Sequence, residues 1–336
     1  MSKIKQVFEY AIDRLLPVGV VVRNLPYVMI FKTTHWCWYN CPHCCESAGK
    51  NRPAEFIPVD VIKYYTDAAT SDPKFTKEMV LTGGEIMASY KFDMKNYVPE
   101  LANYITERGI RLDIKTNGAW IRNKDLRTKI VPDLININER NSGQRRLPYQ
   151  LSLSLDKYHP NALENTYEII CELARRNKNK PTILVHISGF TGQDKIYKEL
   201  LAKLSENRNI KIEDAYITAK SGNAIPLHVI NRCVALRPSF GAVLFAGGRA
   251  QNLPEATPAA NPTFEILNQD AEVLMAFDAA GNVTLGENSG RKITVPWRDK
   301  DGNPRDLPAI RRDLVQRARY EQLRHNMINL KKIFVK

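Results

Sequence analysis

Between residues 27 and 222, short β-rich runs alternate with amphipathic helical segments, and this alternation constrains the fold more than any other feature of the chain. Tyr27–Thr34 (YVMIFKTT) is β-rich. Pro58–Thr70 reads as a helix, with Pro at its start and Val59, Ile62 and Ala69 on one side. Glu78–Leu81 is a short apolar strand that runs into TGGE, and Tyr97–Glu107 is a helix with Gly109 placed as its cap. Strand Ile110–Thr116 ends at Asn117-Gly118. Strand Tyr149–Asp156 precedes helix Asn161–Arg176, strand Thr182–Ser188 precedes helix Lys195–Leu204, and Ile212–Thr218 reads as a sixth strand. Such repetition implies a parallel α/β sheet, open or curled into a barrel.

Strand parity adds a second constraint. In YQLSLSLD, Leu151, Leu153 and Leu155 point one way, and Gln150, Ser152, Ser154 and Asp156 the other. Ile110, Leu112 and Ile114 oppose Asp113, Lys115 and Asn117, while His186 and Ser188 oppose Ile183, Val185 and Ile187. A buried parallel strand is usually apolar on both faces. Three strands with polar inner faces imply a sheet that curls around something polar near its C-terminal ends, where α/β barrels place their chemistry. The competing reading, an antiparallel sheet with one wet face, does not suit the interleaved helices.

After Ser221 the rhythm breaks. Residues 237–263 are rich in Pro, Gly and Ala and read as irregular. Val273–Phe277 and Asn282–Leu285 flank Asp278-Ala-Ala-Gly281 as a hairpin, and Asp306 caps an expected long helix to about Leu330. The expected organisation is an N-terminal segment 1–26, a barrel 27–222 and a C-terminal extension 223–336 that covers it. The formal net charge is +13, and residues 291–336 carry thirteen Lys and Arg against five Asp and Glu. A solvated basic helix explains that surplus; an RNA-contacting tail is the alternative. No apolar run has the length of a membrane span, and charges at Lys3, Lys5, Glu9, Asp13 and Arg14 do not suit a signal peptide. A cytoplasmic location is expected.

Four of the six cysteines, and one histidine, fall within CWYNCPHCC, residues 37–45. A reducing compartment keeps thiols free, which disfavours a disulfide framework. Structural zinc wants four ligands, and no second cysteine pair exists: Cys171 lies mid-helix and Cys233 is solitary. Cys45 or His43 could complete a zinc site only in a strained loop, so zinc stays as a rival. Three thiolates on a [4Fe–4S] cluster would leave one iron open to a substrate or cofactor.

The Cys37-x3-Cys41-x2-Cys44 spacing, LTGGE at 81–85, KTNG at 115–118, and Ser154 with Asp156 at the next strand end together resemble the radical S-adenosylmethionine (SAM) superfamily over about residues 27–222. The resemblance implies a partial (β/α)6 barrel in which Cys37, Cys41 and Cys44 hold a [4Fe–4S] cluster. The methionyl group of SAM would bind the fourth iron. Reductive cleavage would then give a 5′-deoxyadenosyl radical that abstracts hydrogen from a substrate. It implies that Gly83 and Gly84 allow close approach to the methionyl group and that Glu85 holds its ammonium. Lys115, Asn117, Ser154 and Asp156 are candidates for its carboxylate and ribose, with His186 a further cofactor candidate. His43 stands where the family usually has an aromatic that packs on adenine, a departure in residue type. FDAAGNVTLGEN, residues 277–288, is similar to the hairpin of the family's cysteine-rich extension, without the cysteines. Cys233 would stand over the open end as a hydrogen-atom donor or be inert. A small-molecule or peptide substrate is expected, with an electron donor such as flavodoxin or ferredoxin. An RNA substrate is the alternative, as is a non-enzymatic zinc or iron–sulfur module.

Overall fold

The computed structural model describes residues 26–142, 149–218, 224–242, 248–254, 273–285, 293–318 and 320. Eleven strands form one sheet: β1 (Tyr27–Lys32), β2 (Phe75–Thr82), β3 (Arg111–Thr116), β4 (Tyr149–Ser154), β5 (Ile183–Phe190), β6 (Ile212–Thr218), β7 (Ala224–Ile230), β8 (Val234–Ala242), β9 (Val273–Asp278), β10 (Asn282–Leu285) and β11 (Ile293–Pro296). Their order is β11-β10-β9-β1-β2-β3-β4-β5-β8-β7-β6. The run from β9 to β8 is parallel throughout. The flanks β10–β11 and β7–β6 are antiparallel. The chain is therefore α/β with a large, mostly parallel sheet.

Alternation along the strands decides which face the helices cover. Met29, Phe31, Met79, Leu81, Leu112, Ile114, Leu151, Leu153, Val185, Ile187 and Leu236 are all fully buried in one core. Each such side chain contributes roughly 1.5–3 kcal/mol on leaving water. Helices α1 (Val59–Thr70), α2 (Tyr97–Glu107), α3 (Lys124–Asn141), α4 (Ala162–Arg176) and α5 (Asp194–Ser205) add their apolar stripes to this core. The opposite parity carries Asp113, Lys115, Gln150, Ser152, Ser154, His186 and Ser188. A sixth helix spans 307–318, so the expected helix starts where Asp306 suggested; residues beyond 320 lie outside the described ones.

Two expectations are corrected. Ile212–Thr218 does not follow β5 in the parallel run; it pairs only with β7, antiparallel, from Ile212↔Ile230 to Thr218↔Ala224. Its residues alternate between half-buried and exposed, with Tyr216 70% exposed, so it suits a flank and not a strand with two covered faces. The parallel neighbour of β5 is β8, inside a stretch that the composition marked as irregular. Helix α3 was not anticipated, because Pro132 and a polar surface obscure it. Asn123 caps it by accepting the N–H groups of Asp125 and Leu126 at 2.9 and 3.1 Å. Leu126, Ile130, Val131, Leu134 and Ile137 bury its inner stripe.

Strands on both sides of residue 222 share the sheet, since β8 pairs with β5 and β9 pairs with β1. The expected hairpin is β9–β10, and Phe277 packs against Phe31 at 5.1 Å between centroids. Tyr65 of α1 reaches the carbonyls of Trp297 and Arg305, both at 2.9 Å, tying the C-terminal part to the helical layer. Among the described residues no helix is long and apolar enough to cross a membrane.

Candidate functional site

The cysteine loop leaves β1 at its C-terminal end and sits directly on the GGE turn after β2. The Gly84 N–H donates to Thr34 O at 2.6 Å and the Glu85 N–H to Trp36 O at 2.9 Å. A Cβ on Gly84 would lie 2.1 Å from Trp36 O. On Gly83, whose φ is +126°, it would lie 2.6 Å from Thr34 O. The glycines thus let the two loops' backbones touch.

Glu85 is 1% exposed, and both carboxylate oxygens are engaged. Oε1 accepts from the Met87 N–H at 3.1 Å and the Thr116 hydroxyl at 2.7 Å; Oε2 accepts from the Asn117 N–H at 2.9 Å. Burial pushes its pKa up to about 7, against these donors, which favour the charged form. Glu85 therefore braces the end of β2 against the end of β3. Asn117, positioned by that brace, donates from Nδ2 to the Cys37 sulfur at 3.2 Å.

Cys37 and Cys41 are buried, Cys44 and Cys45 half-buried, and all four are free thiols. Burial raises both Cys37 and Cys41 to about 12. The Glu85 charge adds to this at Cys37 and the neighbouring Cys44 at Cys41, while Arg249 opposes it at Cys41. Such thiols give up their protons when a metal replaces them. Cys37 also accepts the Tyr39 N–H at 3.4 Å, so one sulfur already has two N–H donors, as cluster-bound sulfur does. Cys45 turns aside and donates to Glu46 at 3.5 Å. Glu46 in turn pairs with Lys32, the last residue of β1, in a nearly dry ion pair. The donor set fits an iron–sulfur cluster on Cys37, Cys41 and Cys44.

Arg249, in the 3₁₀ turn Gly248–Asn252, clamps this loop from outside. Its Nε donates to Cys41 O at 2.8 Å, its second terminal nitrogen to Ala48 O at 2.6 Å, and its backbone N–H to Cys44 O at 3.0 Å.

A second cluster surrounds His43. Its ring stacks on Tyr158 at 5.0 Å and meets His159 and Phe190 edge-on at 4.5 and 5.5 Å. Its Nδ1 is buried without a hydrogen-bond partner, and burial, then His159, pushes its pKa down to about 4. Asp156 accepts the N–H groups of Tyr158 and His159 at 2.9 and 3.0 Å and meets His159 Nδ1 at 2.7 Å. Burial alone would raise the Asp156 carboxyl; His159 and the backbone donors outweigh it and hold it below the usual range. Ser154 and Ser188 stand opposite one another nearby, in register on β4 and β5.

Two expected residues lie elsewhere. His186 lies two residues below Ser188, on a row that Lys115, Ser152 and Arg237 share. Cys233 lies in the turn before β8, where its carbonyl accepts the Ile183 N–H at 3.0 Å. That is the N-terminal end of the parallel run, opposite the cysteine loop. The residue is 4% exposed and its thiol contacts Ala174 O and Ile230 O at 3.6 Å, surroundings that suit the inert one of its two readings. Tyr158, His159, Arg237 and Arg249 were not anticipated. His159, three residues after Asp156, had a local signal; Arg249 had none.

No protein-family model matches the chain, and no curated protein matches it. Among solved structures, Streptococcus suis SuiB bound to S-adenosylmethionine matches at 11% identity and a TM-score of 0.38, covering 78% of this chain and 60% of that one. SuiB bound to precursor peptide SuiA matches at 10% identity and a TM-score of 0.40, covering 78% of this chain and 59% of that one. The match thus spans about three fifths of the SuiB chain. The chain resembles the radical SAM superfamily in the motifs that build this loop.

Proposed function

We propose that the chain is a radical SAM enzyme. The reading is carried by one arrangement: the Cys37–Cys41–Cys44 loop at the C-terminal end of β1, seated backbone-to-backbone on Gly83-Gly84-Glu85, with Asn117 at the Cys37 sulfur. Cys37, Cys41 and Cys44 would hold a [4Fe–4S] cluster. With SAM bound, such a cluster would supply one-electron reductive cleavage of a carbon–sulfur bond of SAM, with methionine as leaving group, and so hydrogen abstraction from a substrate. The chain's own residues orient and enclose. Glu85 and Arg249 fix the loop, and His43 stacked on Tyr158, with Phe190 edge-on, offers an aromatic wall for an adenine ring. Ser154 and Asn117 remain candidates for polar groups of SAM, and Asp156 with His159 forms the rim beside them. A small molecule or peptide is the proposed substrate, a flavodoxin- or ferredoxin-like protein the proposed donor, and the cytoplasm, which preserves free thiols, the proposed location.

The test is anaerobic reconstitution with iron and sulfide, followed by reduction with dithionite in the presence of SAM. A broad absorption shoulder in the blue and release of 5′-deoxyadenosine are expected. A colourless, zinc-loaded protein that leaves SAM intact would refute the reading.

A further inference from the structure

We propose that Lys115, His186 and Arg237 form a binding site for a carboxylate group carried by the substrate. They stand in one straight row: Lys115 pairs in register with Ser152, Ser152 with His186, and His186 with Arg237, across β3, β4, β5 and β8. The row lies on the face away from the helices, one pleat repeat below Ser154, Ser188 and Ser239. That repeat is about 6–7 Å, so the site lies apart from the Asp156–His159 rim and beneath it.

The hydrogen bonds fix the state of the imidazole. The Ser152 hydroxyl donates to Asp113 Oδ1 at 2.5 Å, and Gln150 Nε2 donates to Ser152 Oγ at 3.2 Å. With its proton engaged, Ser152 Oγ accepts from His186 Nδ1 at 3.1 Å. The proton therefore sits on Nδ1. Nε2 is left as a bare acceptor, buried and without a partner. Burial first, then the charges of Arg237 and Lys115, push His186 down to about 4, and Asp113 opposes them.

Arg237 is half-buried, and among the described residues it has no hydrogen-bond or ion-pair partner. The charges it feels are Arg111, which repels it, and the carboxylates of Asp113, held by Ser152, and Glu78, paired with Arg111, which attract it. An enclosed guanidinium without a partner is costly, and its planar fork matches a carboxylate bidentately. Lys115 adds a second cation from β3. A carboxylate between the two cations offsets their repulsion on His186, which adds to the larger effect of burial. His186 then takes a proton from solvent and donates it from Nε2. Binding thus raises the proton affinity of His186.

The inference rests on the proposed function only in taking this face as the substrate chamber. The test uses the full chain, reconstituted anaerobically and labelled with 13C at histidine Cε1. Acetate is the probe, with ionic strength held constant by chloride. Six histidine resonances are expected, and His186→Gln removes one. That resonance should shift saturably with acetate, and its titration midpoint should rise by about one pH unit or more. Arg237→Gln should demand at least tenfold more acetate while the other resonances stay in place, and Arg237→Lys should recover part of the loss. An equal response to acetamide, or an unchanged acetate response in Arg237→Gln, would overturn the proposal. Iron content and SAM binding are measured on the same samples. A variant that keeps both while losing the acetate response supports this site separately from the cluster. A wild-type chain that takes up no iron yet responds to acetate sinks the radical SAM reading alone.

Discussion

Replacing Gly84 by alanine tests the seat of the cysteine loop directly. The new methyl group would lie 2.1 Å from Trp36 O, 2.7 Å from Trp36 C and 3.0 Å from His35 C, all backbone atoms. Ordinary contact distance is about 3.5 Å, so the two loops must separate by about 1 Å. That displacement breaks or stretches two buried hydrogen bonds, Gly84 N–H to Thr34 O and Glu85 N–H to Trp36 O. At roughly 1–3 kcal/mol for each group left unsatisfied, the cost is about 2–6 kcal/mol. A typical domain has only about 5–15 kcal/mol in total. The loop is expected to lift before the sheet unfolds, so iron and sulfide per chain after reconstitution should fall more steeply than helical content. Gly109→Ala is the control: its φ is +68°, but no atom lies within 4 Å of the added carbon. It should cost about 1–2 kcal/mol from backbone strain alone, with iron unchanged. Full iron loading and a wild-type melting temperature in Gly84→Ala would refute the reasoning.

Four further outcomes are expected. Changing Cys37, Cys41 and Cys44 together to Ala should abolish iron binding, while Cys45→Ala keeps it; iron analysis decides, and loss of iron in Cys45→Ala alone would reassign the ligands. Glu85→Gln removes one of two acceptor oxygens and should lower stability by about 1–3 kcal/mol in urea titration, with loss of iron loading as Asn117 is released. Arg249→Ala removes two charge-assisted hydrogen bonds from the loop, and limited proteolysis around residues 37–49 should speed up while the sheet persists. His186 binds its proton less readily folded than unfolded, so stability should rise with pH between about 4 and 6.5 and be lost as pH falls through that window. His186→Gln should flatten that slope by up to about 1.4 kcal/mol per pH unit, and an unchanged slope would mean the ring is not buried neutral.

The parallel core was legible because its strands alternate cleanly and carry local apolar contrast. The polar row was legible as parity, though not as a site, because Arg237 comes from a strand the composition concealed behind Pro238 and Gly241. Strand order was misjudged for a related reason: Ile212–Thr218 has a strand's periodicity, and periodicity says nothing about which neighbour a strand takes. The cysteine spacing and the GGE turn were legible as motifs, but the steric role of Gly84 depends on the path of residues 34–36, which no local pattern encodes. The expected role of Glu85 came only with the resemblance, and its bracing role was not legible because Thr116 and Asn117, which close over it, lie more than thirty residues on. Arg249 was invisible, since its partners lie more than two hundred residues earlier.

The placement of β8 beside β5 and β9 beside β1 has a consequence for how the chain reaches its native state. Both borders of the early parallel strands are closed by segments that leave the ribosome late. Until then β1 and β5 are bare edges, open to pairing with another chain. The clamp from Arg249 on the cysteine loop also arrives late. The pairings span long stretches of sequence, which makes folding intrinsically slow. A fragment ending near residue 222 should therefore aggregate instead of folding as a smaller enzyme. In the full chain, loading of the proposed cluster would follow completion of synthesis, because the cysteine loop is not held until its last neighbours have docked.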